Sequence, residues 1–423
     1  MKKKINLAII GLGYVGLPLA VAFSKKRNVI GYDINKNRIN ELNSGYDKTR
    51  EINNGKFKSN KNLTLVNKFT EIENCNCYIV TVPTPINKKN KPDLSFLLKA
   101  TREIGKILKV NDIVIYESTV FPGCTEEKCV PILESESGLK YNKDFFCGYS
   151  PERINPGDKK HKIQNIKKIV SGSNNEITNT IDKLYREIII AGTYKVQSII
   201  VAEAAKVIEN TQRDLNIALF NELSIIFDKL NINTSEVISA AKTKWNFIPF
   251  SPGLVGGHCI GVDPYYLTHK AEKLGYKSKI ILAGRNLNNS MSSHVVSKFI
   301  EHLKYKNIKI KNAKVLILGL TFKENCTDLR NSKIKDVFEI LKSKSCKVDL
   351  YDPLAEKKDI KFFYGKKQIS KFSSNTYDGI IIAVGHDKFK SMGINKIKSL
   401  CKNKHIIFDL KNIFKKKFSN YQL

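Results

Sequence analysis

A glycine-rich segment, FSPGLVGGHCIGVDP at residues 250–264, surrounds Cys259 and places Asp263 four residues after it. Glycines let the backbone approach a ligand and leave a neighbouring thiol accessible, which a cysteine packed in a core would seldom need. The pattern therefore predicts that Cys259 is a nucleophile. His258 is adjacent, but neighbouring side chains usually point apart, so we do not expect a Cys–His dyad. We also expect no metal site, because no ligand pair at metal-site spacing accompanies these two residues.

A second set of candidate groups lies on a segment that is predicted to be one long helix. Residues 199–228 contain no Pro or Gly and show apolar residues at helical spacing. Lys206 and Asn210 are four residues apart, so they project from one face of this helix. Both could point into an active-site cleft, but a surface lysine and a satisfied asparagine fit the segment equally well. A helix of this length between two α/β units can also form a dimer interface.

The N-terminal segment has the order strand, glycine-rich turn, helix, strand and acidic residue. A strand predicted at residues 5–10 leads into GLGYVG, and a second strand ends at Asp33. Gly11 permits the tight turn, Gly13 lets the backbone approach a pyrophosphate, and Gly16 allows the helix to pack against the strand. The helix N-terminus attracts the phosphates. Because the Asp33 carboxylate can accept both ribose hydroxyls and would repel a 2′-phosphate, the segment predicts NAD rather than NADP as cofactor.

Two further predicted strands, at 77–82 and 113–116, end in polar turns that contain Thr84 and Thr119. Ligands of doubly wound sheets bind outside the carboxyl ends of the strands, so both turns should face the cofactor. Ordinary cap or turn residues are the alternative interpretation. The full set of predicted cofactor-binding residues is Gly11, Gly13, Tyr14, Val15, Gly16, Asp33, Arg38, Thr84 and Thr119.

The C-terminal part repeats the α/β pattern, with strands predicted at residues 313–318, 347–351 and 379–384. Its first strand is followed by GLTFK, which lacks G-x-G-x-x-G, so this is a Rossmann-like unit for a different ligand. Lys323 and Arg330 suit phosphates, although the general excess of lysine could account for both. The predicted fold class is α/β, with two Rossmann-like parallel-sheet domains joined by a long central helix.

We predict three domains along the chain. An NAD-binding Rossmann domain spans residues 1–195 and is followed by a central helical domain at 196–305, which holds the cysteine loop and the dimer interface. A Rossmann-like domain for a second ligand spans residues 306–423.

Composition narrows the class of protein. The 423 residues include 72 Lys and Arg against 40 Asp and Glu, a formal net charge of +32. The lysines are spread over nearly every segment, which favours a compositional bias over nucleic-acid binding; attraction of anionic small molecules is a weaker alternative. Nine cysteines at irregular spacing suit a reducing cytoplasm. Glycines and Pro18 interrupt the N-terminal apolar stretch, so we expect neither a signal peptide nor a membrane segment.

Motifs distributed along essentially the whole chain together resemble the UDP-glucose/GDP-mannose dehydrogenase family. They are GLGYVGLP (11–18), TVPTP (81–85), ESTVFPG (117–123), AEAAKVIENTQRDLNIALFNE (202–222), GGHCIGVDPYYL (256–267) and GLTFKENCTDLRNS (319–332). The resemblance implies an NAD-dependent, two-step, four-electron oxidation of a sugar C6 alcohol to a carboxylate. A first hydride loss gives an aldehyde, which a thiol captures; a second gives a thioester, and water releases the acid.

The resemblance also implies roles for individual residues. Cys259 would be the nucleophile, and Lys206 and Asn210 would stabilise negative charge on the C6 oxygen. Asp263 and Glu152 are candidates for positioning or activating water. The implied catalytic residues are Cys259, Lys206, Asn210, Asp263, Glu152 and Thr119, the last of which would hold that water. The implied substrate-binding residues are Glu152, Arg153, Lys206, Asn210, Phe250, Gly253, Gly256, Lys323 and Arg330.

One departure narrows the implied substrate. Members that act on UDP-glucose commonly carry a PEFLxE stretch, whereas this chain reads PERINPG from Pro151. That form resembles the branch acting on UDP-N-acetylhexosamines in Vi-type capsule and O-antigen pathways. The resemblance therefore implies oxidation of UDP-GlcNAc or UDP-GalNAc for a surface polysaccharide. The long predicted helix at 199–228 suggests a homodimer. UDP-N-acetylmannosamine and UDP-glucose stay open as alternative substrates of the same reaction.

Three other functions compete with this interpretation. A two-electron β-hydroxyacid dehydrogenase needs neither Cys259 nor a second α/β unit. A short-chain epimerase or reductase needs a Tyr-x-x-x-Lys pair after the correct strand; Tyr266/Lys270 and Tyr305/Lys309 match the spacing but not the position. A catalytically inactive nucleotide-sugar sensor would not require the full set of catalytic residues.

Overall fold

The structure is a computed structural model that describes residues 4–49, 51–53, 55, 57, 60–87, 89–154 and 162–423. The chain forms two compact units. The first comprises Met1–Glu209 and Tyr265–Lys277, and the second comprises Asn210–Pro264 and Ser278–Leu423. The three-domain division stays a prediction, since a compact unit and a functional domain need not share limits.

One sheet organises the first unit. Its strands in the described part of the chain are β1 (Leu7–Ile10), β2 (Val29–Tyr32), β3 (Leu63–Val66), β4 (Cys77–Val80), β5 (Ile113–Tyr116), β6 (Phe146–Tyr149), β7 (Lys168–Gly172) and β8 (Thr193–Lys195). Their order is β3-β2-β1-β4-β5-β6-β7-β8. Neighbouring strands are parallel except β6 and β7, which are antiparallel. The helices are α1 (Gly16–Phe23), α2 (Lys36–Asn43), α3 (Ser95–Ile107), α4 (Val130–Ser137) and α5 (Asn175–Arg186).

The central strands are continuous apolar runs because a mostly parallel sheet is covered on both faces. β1, β4 and β5 read LAII, CYIV and IVIY, and all their residues are buried. The strand predicted at 5–10 begins only at Leu7, and the strand predicted at 77–82 ends at Val80. The antiparallel β6–β7 pair departs from the expected all-parallel sheet; such a pair needs no crossover helix.

The predicted long helix is present as α6 (Ile199–Lys229), which has 31 residues. It extends one residue beyond the predicted limit and carries both Lys206 and Asn210. Helix α6 begins in the first unit and ends in the second.

The second unit contains a five-stranded sheet in which all neighbouring strands are parallel. In chain order its elements are α7 (Thr234–Ala241), α8 (Asp263–Lys273, which continues into the first unit), α9 (Lys279–Tyr305), β9 (Lys314–Leu318), α10 (Ile334–Ser343), β10 (Lys347–Tyr351), α11 (Lys357–Tyr364), β11 (Tyr377–Ile382), α12 (Asp387–Met392), α13 (Ile394–Ser399), β12 (Cys401–Asp409) and β13 (Tyr421–Gln422). The strand order is β10-β9-β11-β12-β13. Phe299 of α9, Val337 of α10 and Phe408 of β12 belong to the core of this unit. The predicted α/β class with Rossmann-like sheets and a long central helix is confirmed.

Candidate active site

The glycine turn after β1 has the geometry that a dinucleotide requires. Gly11 has a φ of +94°, and its N–H donates to the carbonyl oxygen of Tyr32 over 2.8 Å. A Cβ at Gly16 would lie 1.8 Å from the carbonyl oxygen of Gly11, so only glycine permits this approach of α1 to the turn. Among the described residues, no atom lies within 4 Å of the position that a Cβ of Gly13 would take. That open space and the N-terminus of α1 fit a pyrophosphate.

Asp33 lies at the end of β2, where a ribose-binding acid is expected. Its Oδ2 accepts the N–H of Leu12 over 2.9 Å, and its Oδ1 accepts the N–H of Asn35 over 2.8 Å. These two bonds fix the carboxylate beside the glycine turn, while the residue stays partly exposed. The residues present therefore fit NAD, whose nicotinamide ring accepts a hydride when bound.

Arg38 lies beneath the same turn. Its Nε donates to the carbonyl oxygen of Leu12 over 2.9 Å, and its NH2 donates to Asp47 over 2.7 Å. Glu41 is also bound to this guanidinium. Arg38 is buried, so in this structure its bonds support the backbone of the turn from inside the protein.

The turns after β4 and β5 are connected to other parts of the first unit. The hydroxyl of Tyr266 donates to the carbonyl oxygen of Thr84 over 2.9 Å. Ser118 donates to the carbonyl oxygen of Val82 over 2.7 Å, which links the two turns directly. The neighbouring residue Thr119 is partly exposed at this sheet edge.

A buried ion pair that the sequence analysis missed supports Glu152. Glu117 and Lys168 are almost fully buried, and the Lys168 Nζ lies 2.6 Å from Glu117 Oε2. The same Nζ donates to the carbonyl oxygen of Pro151 over 3.0 Å. Glu152 itself is buried and accepts the N–H of Ile154. A buried pair of charges is costly unless further hydrogen bonds satisfy it, and here one of those bonds fixes the backbone next to Glu152.

Arg153 follows Glu152 but engages α6. Its NH2 lies 2.8 Å from Glu209 Oε1, and its NH1 donates to the carbonyl oxygen of Lys167 over 2.7 Å. Residues 155–157 of the PERINPG stretch, which suggested the substrate branch, lie outside the described residues.

Helix α6 carries a second buried acid that the sequence analysis missed. Glu203 accepts the N–H of Gly123 over 2.5 Å and both the N–H and the hydroxyl of Thr125, over 2.9 and 2.7 Å. Burial raises the pKa of Glu203 to about 7 despite these bonds. Lys206, which is also buried, lies three residues further along the same helix. Glu203 could have been found in the sequence because it is the one acid in an otherwise apolar helical turn.

In the second unit, Cys259 lies in a turn that immediately precedes α8. Its carbonyl oxygen accepts the N–H groups of Val262 and Asp263, over 3.0 and 2.8 Å. Its side chain is partly exposed, whereas the other cysteines are buried. Asp263 is the first residue of α8 and is buried, and its Oδ2 accepts the Nδ2–H of Asn210 over 2.6 Å. The structure thus brings together Asn210 and Asp263, two of the predicted catalytic residues.

The glycines before Cys259 allow close contact with the turn after β9. A Cβ at Gly256 would lie 2.6 Å from the carbonyl oxygen of Asn331, and one at Gly257, where φ is +84°, would lie 2.7 Å from the ring of Phe322. The ring of His258 bonds to Asp328 Oδ2 over 2.9 Å. Burial alone would raise the pKa of Asp328, but hydrogen bonds from His258 and Arg330 outweigh it and hold that pKa below its ordinary value.

The start of the cysteine loop is held by α6 and α9. Asn221 accepts the N–H of Gly253 over 2.8 Å and donates to its carbonyl oxygen over 3.1 Å. Asn288 of α9 accepts a further hydrogen bond from Asn221 over 2.8 Å. The ring of Phe250 lies 6.1 Å from that of Phe220, measured between centroids. Asn221 was not predicted, although it belongs to the conspicuous 202–222 motif.

A small pocket in the second unit lies at the carboxyl ends of β9 and β11. Three lysines line it together with apolar side chains: Lys323, Lys333 and Lys411. The carboxyl edge of a parallel sheet is where such folds bind ligands, and clustered ammonium groups suit a diphosphate. Arg330 is exposed and pairs with Asp328 over 2.7 Å.

Models of three protein-family domains match the sequence in order. They describe the NAD-binding domain of the UDP-glucose/GDP-mannose dehydrogenase family at residues 5–189, its central domain at 200–290 and its UDP-binding domain at 316–416. The described residues contain no helix long and apolar enough to cross a membrane.

Individual relatives align over nearly the full length. A UDP-N-acetyl-D-glucosamine 6-dehydrogenase from Pseudomonas aeruginosa is 55% identical, with 100% of both chains covered. One from Salmonella typhi is also 55% identical, with 99% of both chains covered. A solved UDP-D-ManNAc dehydrogenase from Pyrococcus horikoshii superimposes with a TM-score of 0.88 at 30% identity, covering 99% of this chain and 98% of that one. The chain therefore belongs to the UDP-glucose/GDP-mannose dehydrogenase family and is an NAD-dependent nucleotide-sugar dehydrogenase.

Proposed function

We propose that this protein oxidises the C6 alcohol of a UDP-N-acetylhexosamine, UDP-GlcNAc or UDP-GalNAc, to the uronic acid for surface polysaccharide synthesis. The observation that carries the reaction class is the partly exposed Cys259 in a glycine-bounded turn next to Asp263. The choice of substrate is supported by the 55% identity to two relatives named for UDP-N-acetyl-D-glucosamine, against 30% to the structure named for UDP-D-ManNAc.

The thiol is needed because an aldehyde cannot readily lose a second hydride. Loss of one hydride and one proton from the C6 alcohol gives an aldehyde. Addition of the Cys259 thiol forms a C–S bond and gives a thiohemiacetal, which again has a hydroxyl and a hydrogen on C6. Loss of a second hydride and proton gives a thioester. Water then breaks the C–S bond, so that one alcohol, two NAD⁺ and one water yield a carboxylate, two NADH and three protons.

We propose that the remaining predicted residues stabilise charge on the C6 oxygen, activate the attacking water or bind the UDP portion. Lys206 and Asn210 donate to the C6 oxygen, on which negative charge develops in each hydride transfer. Asp263 holds the Asn210 amide, and either Asp263 or Glu152 takes the proton of the attacking water, with Thr119 holding that water. Lys323 and Arg330 bind the UDP portion.

We further propose a cytoplasmic homodimer. Leu219 and Ile226 of helix α6 are exposed. Exposed apolar side chains on one long helix favour contact with a second copy of the chain. Reduced cysteines suit the cytoplasm. Light scattering should give the mass of two chains, and the mass of one chain would contradict the dimer.

The test is the yield of NADH per sugar. Purified protein with excess NAD is given limiting UDP-GlcNAc, UDP-GalNAc, UDP-ManNAc and UDP-glucose in parallel. We expect two NADH per sugar with UDP-GlcNAc or UDP-GalNAc, and a product mass that shows the acid. One NADH per sugar would mean that the reaction stops at the aldehyde, and Cys259 would then have no role as nucleophile. No NADH from any of the four would favour either another nucleotide sugar as substrate or a nucleotide-sugar sensor.

A further inference from the structure

The turn after β9 repeats the geometry of the NAD-binding turn without its sequence. Gly319 has a φ of +92°, and its N–H donates to the carbonyl oxygen of Tyr351 over 2.9 Å. The next N–H, of Leu320, donates to Asp352 Oδ2 over 2.7 Å. These bonds match those of Gly11 and Leu12 to the residues at the end of β2. Asp352 therefore occupies the position of a ribose-binding acid in the second unit.

Both acids accept hydrogen bonds from the protein on both oxygens, but Asp33 is partly exposed whereas Asp352 is buried. Its Oδ1 accepts the N–H groups of Leu354 and Ala355, each over 2.9 Å. Its Oδ2 also lies 3.2 Å from Nε2 of His386. Burial alone would raise the pKa of Asp352, but the hydrogen bonds from His386 and the backbone outweigh it and lower that pKa. This acid is an ionised internal acceptor that is shielded from solvent.

His386 follows β11 and is fully buried. Its Nδ1 accepts the N–H of Asn325 over 3.0 Å, so Nδ1 carries no proton and Nε2 carries one in the neutral ring. Nε2 lies 3.2 Å from Thr321 Oγ1, and that hydroxyl donates its own hydrogen to the carbonyl oxygen of Lys323 over 2.9 Å. Nε2–H therefore faces two acceptors, Asp352 and Thr321.

These contacts fix the backbone at Lys323 and just after it. Thr321 binds its carbonyl oxygen from one side, and His386 binds the N–H two residues later from the other. Asn325 has a φ of +56°, a left-handed conformation that asparagine adopts more readily than most other non-glycine residues. The side chain of Asn325 also exchanges two hydrogen bonds with Asp387, over 2.8 and 3.1 Å.

We propose that His386 is a positioning residue for nucleotide binding. By accepting the N–H of Asn325 it holds the backbone of residues 321–325 in the one conformation that directs Lys323 to the diphosphate. In the second unit, Asp352 stands where a ribose-binding acid would stand, but it accepts a hydrogen bond from His386 instead. The unit therefore binds its nucleotide through lysines. The inference rests on the proposed function, in which Lys323 contacts the UDP portion.

Two replacements of His386 by amide side chains test the hydrogen bonds of its two ring nitrogens separately. An asparagine at this position can place its Oδ1 where Nδ1 accepts from Asn325, whereas a glutamine can place its amide near Nε2 but leaves the N–H of Asn325 without its acceptor. UDP affinity is measured by calorimetry on the full chain, and KM and kcat with the UDP-sugar substrate. We expect His386→Gln to weaken UDP binding and raise KM about two- to tenfold, with kcat and NAD affinity retained. His386→Asn should stay near the wild type.

Further variants keep the test decisive. Asp387→Ala removes an exposed partner of Asn325 and should raise KM in the same direction, even if a histidine variant does not fold. Lys323→Ala tests the proposed nucleotide site itself, and unchanged UDP affinity in that variant would contradict the site. If Lys323→Ala weakens UDP binding while His386→Gln and Asp387→Ala do not, the positioning role is wrong. Equal losses in His386→Asn and His386→Gln would overturn it as well.

Discussion

Asn210 Nδ2 donates to Asp263 Oδ2 over 2.6 Å, joining α6 to the first residue of α8. The contact links the residue proposed to bind the C6 oxygen with the acid that lies four residues after Cys259, the proposed nucleophile. Since an amide nitrogen carries two hydrogens, one can bind Asp263 while the other is directed to substrate. The orientation of the Asn210 amide is thereby set by Asp263.

Removing the Asp263 carboxylate should therefore impair the chemical steps. We expect Asp263→Ala to lower kcat about 100-fold with KM little changed, because a misplaced donor loses its effect in the transition state. Asp263→Asn keeps an oxygen acceptor and should retain more activity if positioning is the main role. Steady-state kinetics on both variants checks this. Equal losses would instead assign the proton of the water to Asp263, and unchanged kcat in Asp263→Ala would contradict either role.

Replacement of Cys259, the proposed nucleophile, should separate the two oxidations. Cys259→Ala should form no uronic acid, because the aldehyde cannot become a thioester, while NAD affinity stays at the wild-type value. Product mass and a calorimetric NAD titration measure the two quantities. A buried cysteine provides the matched control, and Cys346→Ala should still form the acid. Acid formation by Cys259→Ala near the wild-type rate would exclude the thioester route.

Asp33 should control the affinity for the dinucleotide. We expect Asp33→Ala to raise the Kd for NAD about 10- to 100-fold, since hydrogen bonds to a charged group are lost. UDP affinity should not change. Glu71→Ala removes an exposed acid elsewhere in the first unit and serves as the control for net charge. Unchanged NAD affinity in Asp33→Ala would place the cofactor elsewhere.

Glu203 should make stability depend on pH in a defined direction. Its pKa is about 7 in the folded protein, against about 4.3 for an unperturbed glutamate. Between these values the folded protein binds a proton that the unfolded chain has released, so the free energy of unfolding should fall as pH rises. The fall amounts to at most roughly 4 kcal/mol.

Glu203→Gln cannot titrate and should lack this part of the slope. Denaturant unfolding at intervals from pH 4.5 to 8 measures it as the difference between wild type and variant, in which other titrating groups cancel. Glu71→Gln, an exposed acid, should leave the slope unchanged. Parallel curves for wild type and Glu203→Gln would contradict the raised pKa.

Local patterns predicted the features that depend on neighbouring residues. The glycine turn with Asp33 and the limits of α6 follow from spacing within about one element, and the structure places both as expected. The partly exposed Cys259 is in the turn that its glycines indicated.

Features that depend on distant partners could not be predicted. Lys168 reaches Glu117 across 51 residues of sequence, and Glu203 reaches Gly123 across 80. No local pattern tells a lysine that supports Pro151 from the many solvated lysines of this chain. The antiparallel β6–β7 pair was missed for the same reason, because strand direction is set by tertiary pairing rather than by the strand's own residues.

Because the cysteines differ in burial, an added electrophile should react with one thiol of the protein in preference to the others. All nine lie within the described residues, and eight of them are buried. Burial raises the pKa of Cys75 to about 11 and that of Cys77 and Cys401 to about 12, so these thiols hardly form thiolate at neutral pH. An alkylating reagent such as iodoacetamide should therefore react at Cys259 first. If Cys259 is the nucleophile, as proposed, uptake of one equivalent per chain would count the competent active sites in a preparation, and a maleimide dye would label the proposed reaction centre without any engineered cysteine.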